Sequence, residues 1–115
     1  ASASCMFVYT LAKGIRLGVL PTKYEAIAQK AYTGIQKQFL ETDAEGFLHL
    51  NGTVSVAGLG GKPYRDGSYE YYLSEKVIQD DPKGMGAFIL AANEMQTRNN
   101  PQVGKGKTVL LDNYF

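Results

Sequence analysis

The sequence predicts a mainly α fold: helical hairpins with one short β-hairpin between them. Three observations predict it. Apolar residues recur at helical spacing over residues 3–17 and again over residues 24–39. A polar stretch of extended character follows, with Asn51-Gly52 at its centre, a strong local hairpin signal. Asp81-Pro82 then announces a further helix, because aspartate suits the N-cap and proline the first helical position.

The first helix, residues 3–17, carries Ala3, Met6, Phe7, Leu11 and Ile15 near one face, and Gly18 can supply its C-terminal turn. Gly14 inside it costs about 1 kcal/mol relative to alanine. Thr22-Lys23-Tyr24-Glu25 fits a capping box for the second helix. Tyr24, Ile27, Ala28, Ala31, Ile35 and Phe39 then form its apolar face. The short link Val19-Leu20-Pro21 predicts an antiparallel pair, so residues 3–40 read as a helical hairpin. A polar turn ends at Gly46, and residues 47–50 and 53–56 read as strands joined at Asn51-Gly52. Residues 57–61 hold three glycines that allow close approach, but the Walker spacing is absent and Lys62 is followed by proline. Residues 68–78 read as a third helix with Ser68 as its cap. The fourth begins at Asp81-Pro82, presents Met85, Phe88, Ile89, Ala92 and Met95, and stops at Asn99-Asn100-Pro101. Residues 107–111 are strand-like or extended.

Composition excludes several functions. The 115 residues suit one domain, and an apolar fraction of 44% supports a core. Twelve basic residues stand against eleven acidic ones, scattered without a stripe, so there is no electrostatic footprint for nucleic acid. No apolar run reaches the length of a membrane span. ASASCMFVYTLAKG lacks the basic start and clean apolar stretch of a signal peptide. A single cysteine, Cys5, excludes an internal disulfide, and with a single histidine, His49, it does not make a zinc site. The helical pattern starts almost at residue 1 with neither a cap nor an initiator methionine, so the chain is expected to be the covered part of something longer.

Two segments could carry chemistry. YRDGSYEYYLSE, residues 64–75, concentrates four tyrosines with charged partners. Tyr69 and Tyr72 share one helix face, Tyr71 and Glu75 another. Such tyrosines either pack between helices or present flat rings and hydroxyls to a sugar, and spacing alone favours packing. DDPKGMG, residues 80–86, is a candidate anion site. If Asp81 caps the helix, the amides of Lys83 and Gly84 point outward beside an ammonium group, and a carboxylated sugar is a fitting anion. The alternative is a plain capped helix with a solvated lysine. His49 reads as a satisfied structural residue, Cys5 as buried and inert, and Asp43 and Glu45 as a solvated turn. No carboxylate pair is placed for acid and base roles.

GLGGKPYRDGSYEYYLSEKVIQDDPKGMGAFILAANEM, residues 58–95, resembles the C-terminal region of the unsaturated glycuronyl hydrolases, glycoside hydrolase family 105 and the related family 88. SASCMFVYTLAKGIRLGVLP, residues 2–21, looks like the preceding family segment, and GKTVLLDNYF like the closing one. DGSYEYYLSE and DPKGMGAF in this order are the specific combination. The resemblance implies that residues 1–115 form the C-terminal part of an (α/α)6 barrel, six helical hairpins in a ring. It implies removal of the unsaturated uronic acid that lyases leave at the non-reducing end of oligosaccharides, by hydration of the C4=C5 enol ether, with no metal or organic cofactor. The family's catalytic aspartate lies upstream of the matched region and has no counterpart here, so no catalytic residue is assigned. Lys83 and Gly84 are the first candidates for the uronate carboxylate. Arg65, Asp66 and Tyr69 follow as rim groups, then Ser2 and Ser4 at the turn entering the first helix. An uncovered inner face of the ring is expected to associate with the rest of the barrel or with itself. The rival reading is a non-catalytic helical module that binds carbohydrate or protein.

Overall fold

The computed structural model describes residues 1–99, and the expected extended tail at 107–111 lies outside them. Helix α1 runs Ser2–Arg16 and α2 runs Glu25–Phe39, joined through a 3-10 turn at Thr22–Tyr24. Strands β1 (Leu40–Thr42), β2 (Leu48–Leu50) and β3 (Thr53–Val54) follow, then α3 (Tyr69–Ser74), β4 (Val77–Ile78) and α4 (Pro82–Asn99).

The helix directions follow from what meets at each end. The backbone nitrogen of Ala1 donates to Gly52 O, and Gly84 in the first turn of α4 rests on Thr53. The starts of α1 and α4 therefore lie together. At the other end Arg16 grips Glu94. Hence α1 and α4 run parallel. Helix α2 runs against both: its Phe39 ring lies over Gly52, while Glu25 at its start pairs with Arg98 near the end of α4.

The core lies where α1 meets its neighbours. Cys5, Val8 and Ala12 of α1 are fully buried against Ala28 and Ile35 of α2 and Ala87, Ala91 and Met95 of α4. Ala87 and Ala91, four residues apart and both buried in the core, are the small residues over which α1 packs on α4. The expected apolar face of α4 holds at Met95, which is buried, and at Phe88, which packs against the core. Ile89, by contrast, is 60% exposed and lies outside the core. Ile27 of α2 and Met6 and Phe7 of α1 are likewise exposed.

Three local expectations are corrected. Thr22 does not form a capping box: residues 22–24 take a 3-10 turn and α2 starts at Glu25 without a side-chain cap. The short β-hairpin exists, but not across Asn51-Gly52. It pairs β1 with β2 antiparallel, Leu40 opposite Leu50, around the polar turn at 43–47. Asp43 Oδ1 accepts the amides of Glu45 and Phe47 and closes that turn. Asn51 instead donates its amide to Phe39 O, and Gly52, at φ 78°, turns the chain away toward β4, which pairs with β3. A side chain at Gly52 would meet the Phe39 ring at 2.7 Å. Helix α3 is shorter than residues 68–78, ending at Ser74, because β3 recruits Val77 and Ile78 as a strand. The two expected caps do form: Ser68 Oγ accepts the amide of Tyr71, and Asp81 Oδ1 that of Lys83.

Candidate functional site

The segment between α2 and α4 builds the end of the bundle where α1 and α4 begin. Two clefts open there, sharing the chain at 54–57 as a wall. Ser2, Gly52, Tyr72 and Lys83 line one, of about 340 Å³. Lys62, Tyr64, Arg65, Tyr71 and Glu75 line the other, of about 530 Å³.

In the smaller cleft, Lys83 is positioned by its own helix start. Its ammonium lies 2.6 Å from Asp81 Oδ2 and 2.8 Å from Ser55 O. Asp81 is nearly buried, and the lysine beside it, with amides of the first turn, holds its carboxyl below the usual carboxylate range. An ammonium has three N–H donors, so one remains for a ligand. The outward-pointing amide expected at 83 is corrected: it donates to Asp81 Oδ1 and is satisfied within the helix start. Gly84 is buried, and a Cβ there would stand 2.4 Å from Thr53 Oγ1, so this glycine serves close packing. The start of α1 differs. Its N-cap residue, Ala1, offers no side-chain cap, its first turn holds no acidic residue, and Ser2 lines the cleft.

Ser2 and Lys83, far apart in sequence, thus share a cleft, and Ser4, two residues further along α1, does not line it. Arg65 belongs to the larger cleft. Asp66 is exposed and accepts the Ser68 amide, which holds its carboxyl low. Tyr69 is 71% exposed and lines neither cleft. Tyr72, not among the sequence-based candidates, lines the smaller cleft, and Tyr71 the larger one, its hydroxyl held between the Gly58 amide and the Glu75 carboxylate.

A third constellation was invisible in the sequence. His49 Nδ1 lies 2.6 Å from Asp80 Oδ2, and Nε2 lies 3.1 Å from Asp43 Oδ2. Asp80 first and Asp43 second raise the imidazole pKa, and each carboxyl is held below its usual range chiefly by the histidine. Asp80 also exchanges two hydrogen bonds with Leu50, through its own amide and its Oδ1, and adopts φ 55° to do so. The cluster fastens the β1–β2 hairpin to the start of α4. It corrects the reading of Asp43 as merely solvated. Among the described residues no cluster of histidine, cysteine, aspartate and glutamate is arranged to hold a metal ion. Likewise no helix among them is long and apolar enough to cross a membrane.

The profile of Glycosyl Hydrolase Family 88 matches residues 1–99. The chain belongs to that family. Its resemblance to families 88 and 105 is therefore borne out, and with it a place among the glycosidases. A solved glycoside hydrolase of family 105 from C. acetobutylicum ATCC 824 superposes with a TM-score of 0.81 at 47% identity, over 84% of this chain and 27% of its own. The helical hairpins are accordingly those of an (α/α)6 barrel. Protein Atu3128 of Agrobacterium fabrum and the 24.9 kDa protein in picA locus of Rhizobium radiobacter are each 42% identical over 99 residues. These matches take in 81% of this chain and 42% of each relative, so the chain spans well under half the length of either.

Proposed function

We propose that this family 88 chain is the C-terminal part of a barrel hydrolase that removes 4,5-unsaturated uronic acid from the non-reducing end of lyase-generated oligosaccharides. One observation carries the reading: Ser2 and Lys83 meet in one cleft at the shared start of two parallel helices. The remaining N–H of Lys83 favours an anion there. A carboxylate conjugated to the C4=C5 double bond fits that demand. Asp81 and Ser55 hold the lysine in place, so little side-chain entropy is lost when a ligand binds. Hydration then adds a proton at C4 and hydroxide at C5, and the resulting hemiketal opens and releases the remaining sugar. The aspartate acting as general acid and base belongs to the part of the protein outside this chain. The exposed Met6 and Phe7 of α1 and Ile89 and Leu90 of α4 are surfaces for the rest of the barrel or for a second copy to cover.

The test is an assay of full-length protein on an unsaturated galacturonyl-rhamnose disaccharide, followed by loss of the ultraviolet absorbance of its double bond. Turnover is expected, and Lys83→Ala should raise KM about tenfold or more, as loss of a charge-assisted hydrogen bond does, with the fold intact. Absence of turnover on every unsaturated uronide tried would sink the reading.

A further inference from the structure

His49 stands between two carboxylates, one at each ring nitrogen: Asp80 Oδ2 is 2.6 Å from Nδ1 and Asp43 Oδ2 is 3.1 Å from Nε2. A neutral imidazole has one N–H and one lone pair, so it can donate to only one of them and would turn its lone pair on the other. The geometry therefore calls for the imidazolium. Glu41, opposite His49 in the β1–β2 register, is a third acidic group, and Glu45 lies in the turn that Asp43 closes. Among the described residues His49 is the only cation that pairs with Asp43 or Asp80. The side chains of His49, Asp43 and Asp80 are 27%, 30% and 39% exposed, so the ring can exchange its proton without unfolding.

That proton bears on the smaller cleft, which His49 does not line. Asp80 is held at φ 55° by three bonds to β2: His49 at Oδ2, the Leu50 amide at Oδ1, and its own amide to Leu50 O. The next residue, Asp81, caps α4 and takes the Lys83 ammonium at 2.6 Å. Asp80 is thus the joint at which the chain passes from β4 into α4, and its seating sets where Asp81 and Lys83 stand relative to Ser55 O. We infer that protonated His49 is a positioning residue for Lys83: it seats the start of α4 through Asp80, so its proton governs anion binding in the smaller cleft. As pH rises through the folded pKa of His49, which is raised above the ordinary value of about 6.5, one N–H is lost. One carboxylate then faces a lone pair, and Lys83 loses its fixed place. That Lys83 receives a carboxylate rests on the proposed function; its dependence on His49 does not.

The test is steady-state kinetics of full-length protein on the unsaturated galacturonyl-rhamnose disaccharide, whose carboxylate stays ionised between about pH 5.5 and about pH 8.5. KM of the parent should rise about threefold or more over that range, and His49→Gln should show the raised KM at both ends. The pH dependence of kcat, set by the aspartate outside this chain, should be the same in both proteins. Asp80→Asn, whose amide can donate to a neutral ring and suits the left-handed backbone, should keep the low KM at about pH 8.5. In a Lys83→Ala background His49→Gln should change KM no further, because both act on one contact. Additive effects of that pair, or parallel KM profiles in parent and His49→Gln, would overturn the inference. Lys83 also supplies a readout without turnover. Reductive methylation with carbon-13 formaldehyde keeps its charge, and its methyl signal, assigned by loss in Lys83→Ala, should titrate with His49 and cease to do so in His49→Gln. Such a signal without turnover of any unsaturated uronide would uphold the positioning role and sink the hydrolase. Turnover with a Lys83 signal indifferent to His49 would do the reverse.

Discussion

The three long helices and the segment between α2 and α4 are held by different forces. The helices share an apolar core of small and medium side chains, with Cys5, Val8, Ala12 and Ala91 fully buried. In the segment spanning residues 40–81 only Leu50, Thr53 and Asp81 are buried, and order comes from polar devices. Asp43 closes a turn, Ser68 caps α3, His49 bridges two carboxylates, and Arg65 ties down its loop. Apolar packing is strong but carries no hydrogen-bonding information, whereas polar devices leave donors and acceptors on the surface. Both clefts accordingly lie on the polar segment, braced by the ends of the helices.

This contrast can be broken at three points. Ala91→Leu should be the most damaging, because the α1–α4 groove has no room for three more carbons. Overpacking of this kind costs about 3 kcal/mol, read as a lower urea midpoint. A midpoint unchanged from the parent would show that α1 and α4 are not in tight contact. Arg16→Ala should cost about 1–2 kcal/mol. It leaves the Glu94 carboxylate, 7% exposed, without its two-pronged partner, but Arg16 itself is 40% exposed and solvent screens much of the pair. Restoration by Glu94→Gln in the same background would confirm that the stranded charge is the cause.

The smallest expected effect is a pH dependence from His49. Its pKa is raised in the folded protein, so its contribution is complete below the unfolded value of about 6.5 and is lost as pH rises through the folded value. Asp43 and Asp80 are lowered, so theirs holds above about 3.9 and is lost as pH falls through their folded values. Thermal unfolding of the parent should thus occur at a lower temperature near pH 8.5 than near pH 5.5, and His49→Gln should narrow that difference. Parallel pH profiles for the two proteins would remove the cluster as an electrostatic clasp.

Sequence alone determined the features written in near neighbours. Asp81-Pro82 started a helix and Ser68 capped one, because a cap joins groups two or three residues apart. The ordered motifs DGSYEYYLSE and DPKGMGAF carried the family, and with it the barrel. Ser2 and Lys83 were both legible as candidates, each from its own helix start. Tertiary structure decided the pairings. Asn51-Gly52 carried the local signal for a hairpin, yet Thr53 pairs with Ile78 and Leu50 with Leu40. Those choices depend on where Phe39 and the start of α4 come to rest. The same holds for His49, whose partners lie 6 and 31 residues away on different elements. It holds too for the split that put Lys83 and Arg65 in separate clefts. Local chemistry fixes where an element starts, but which elements meet is decided only when the small-residue groove of α4 closes on α1 and sets the frame for the polar segment.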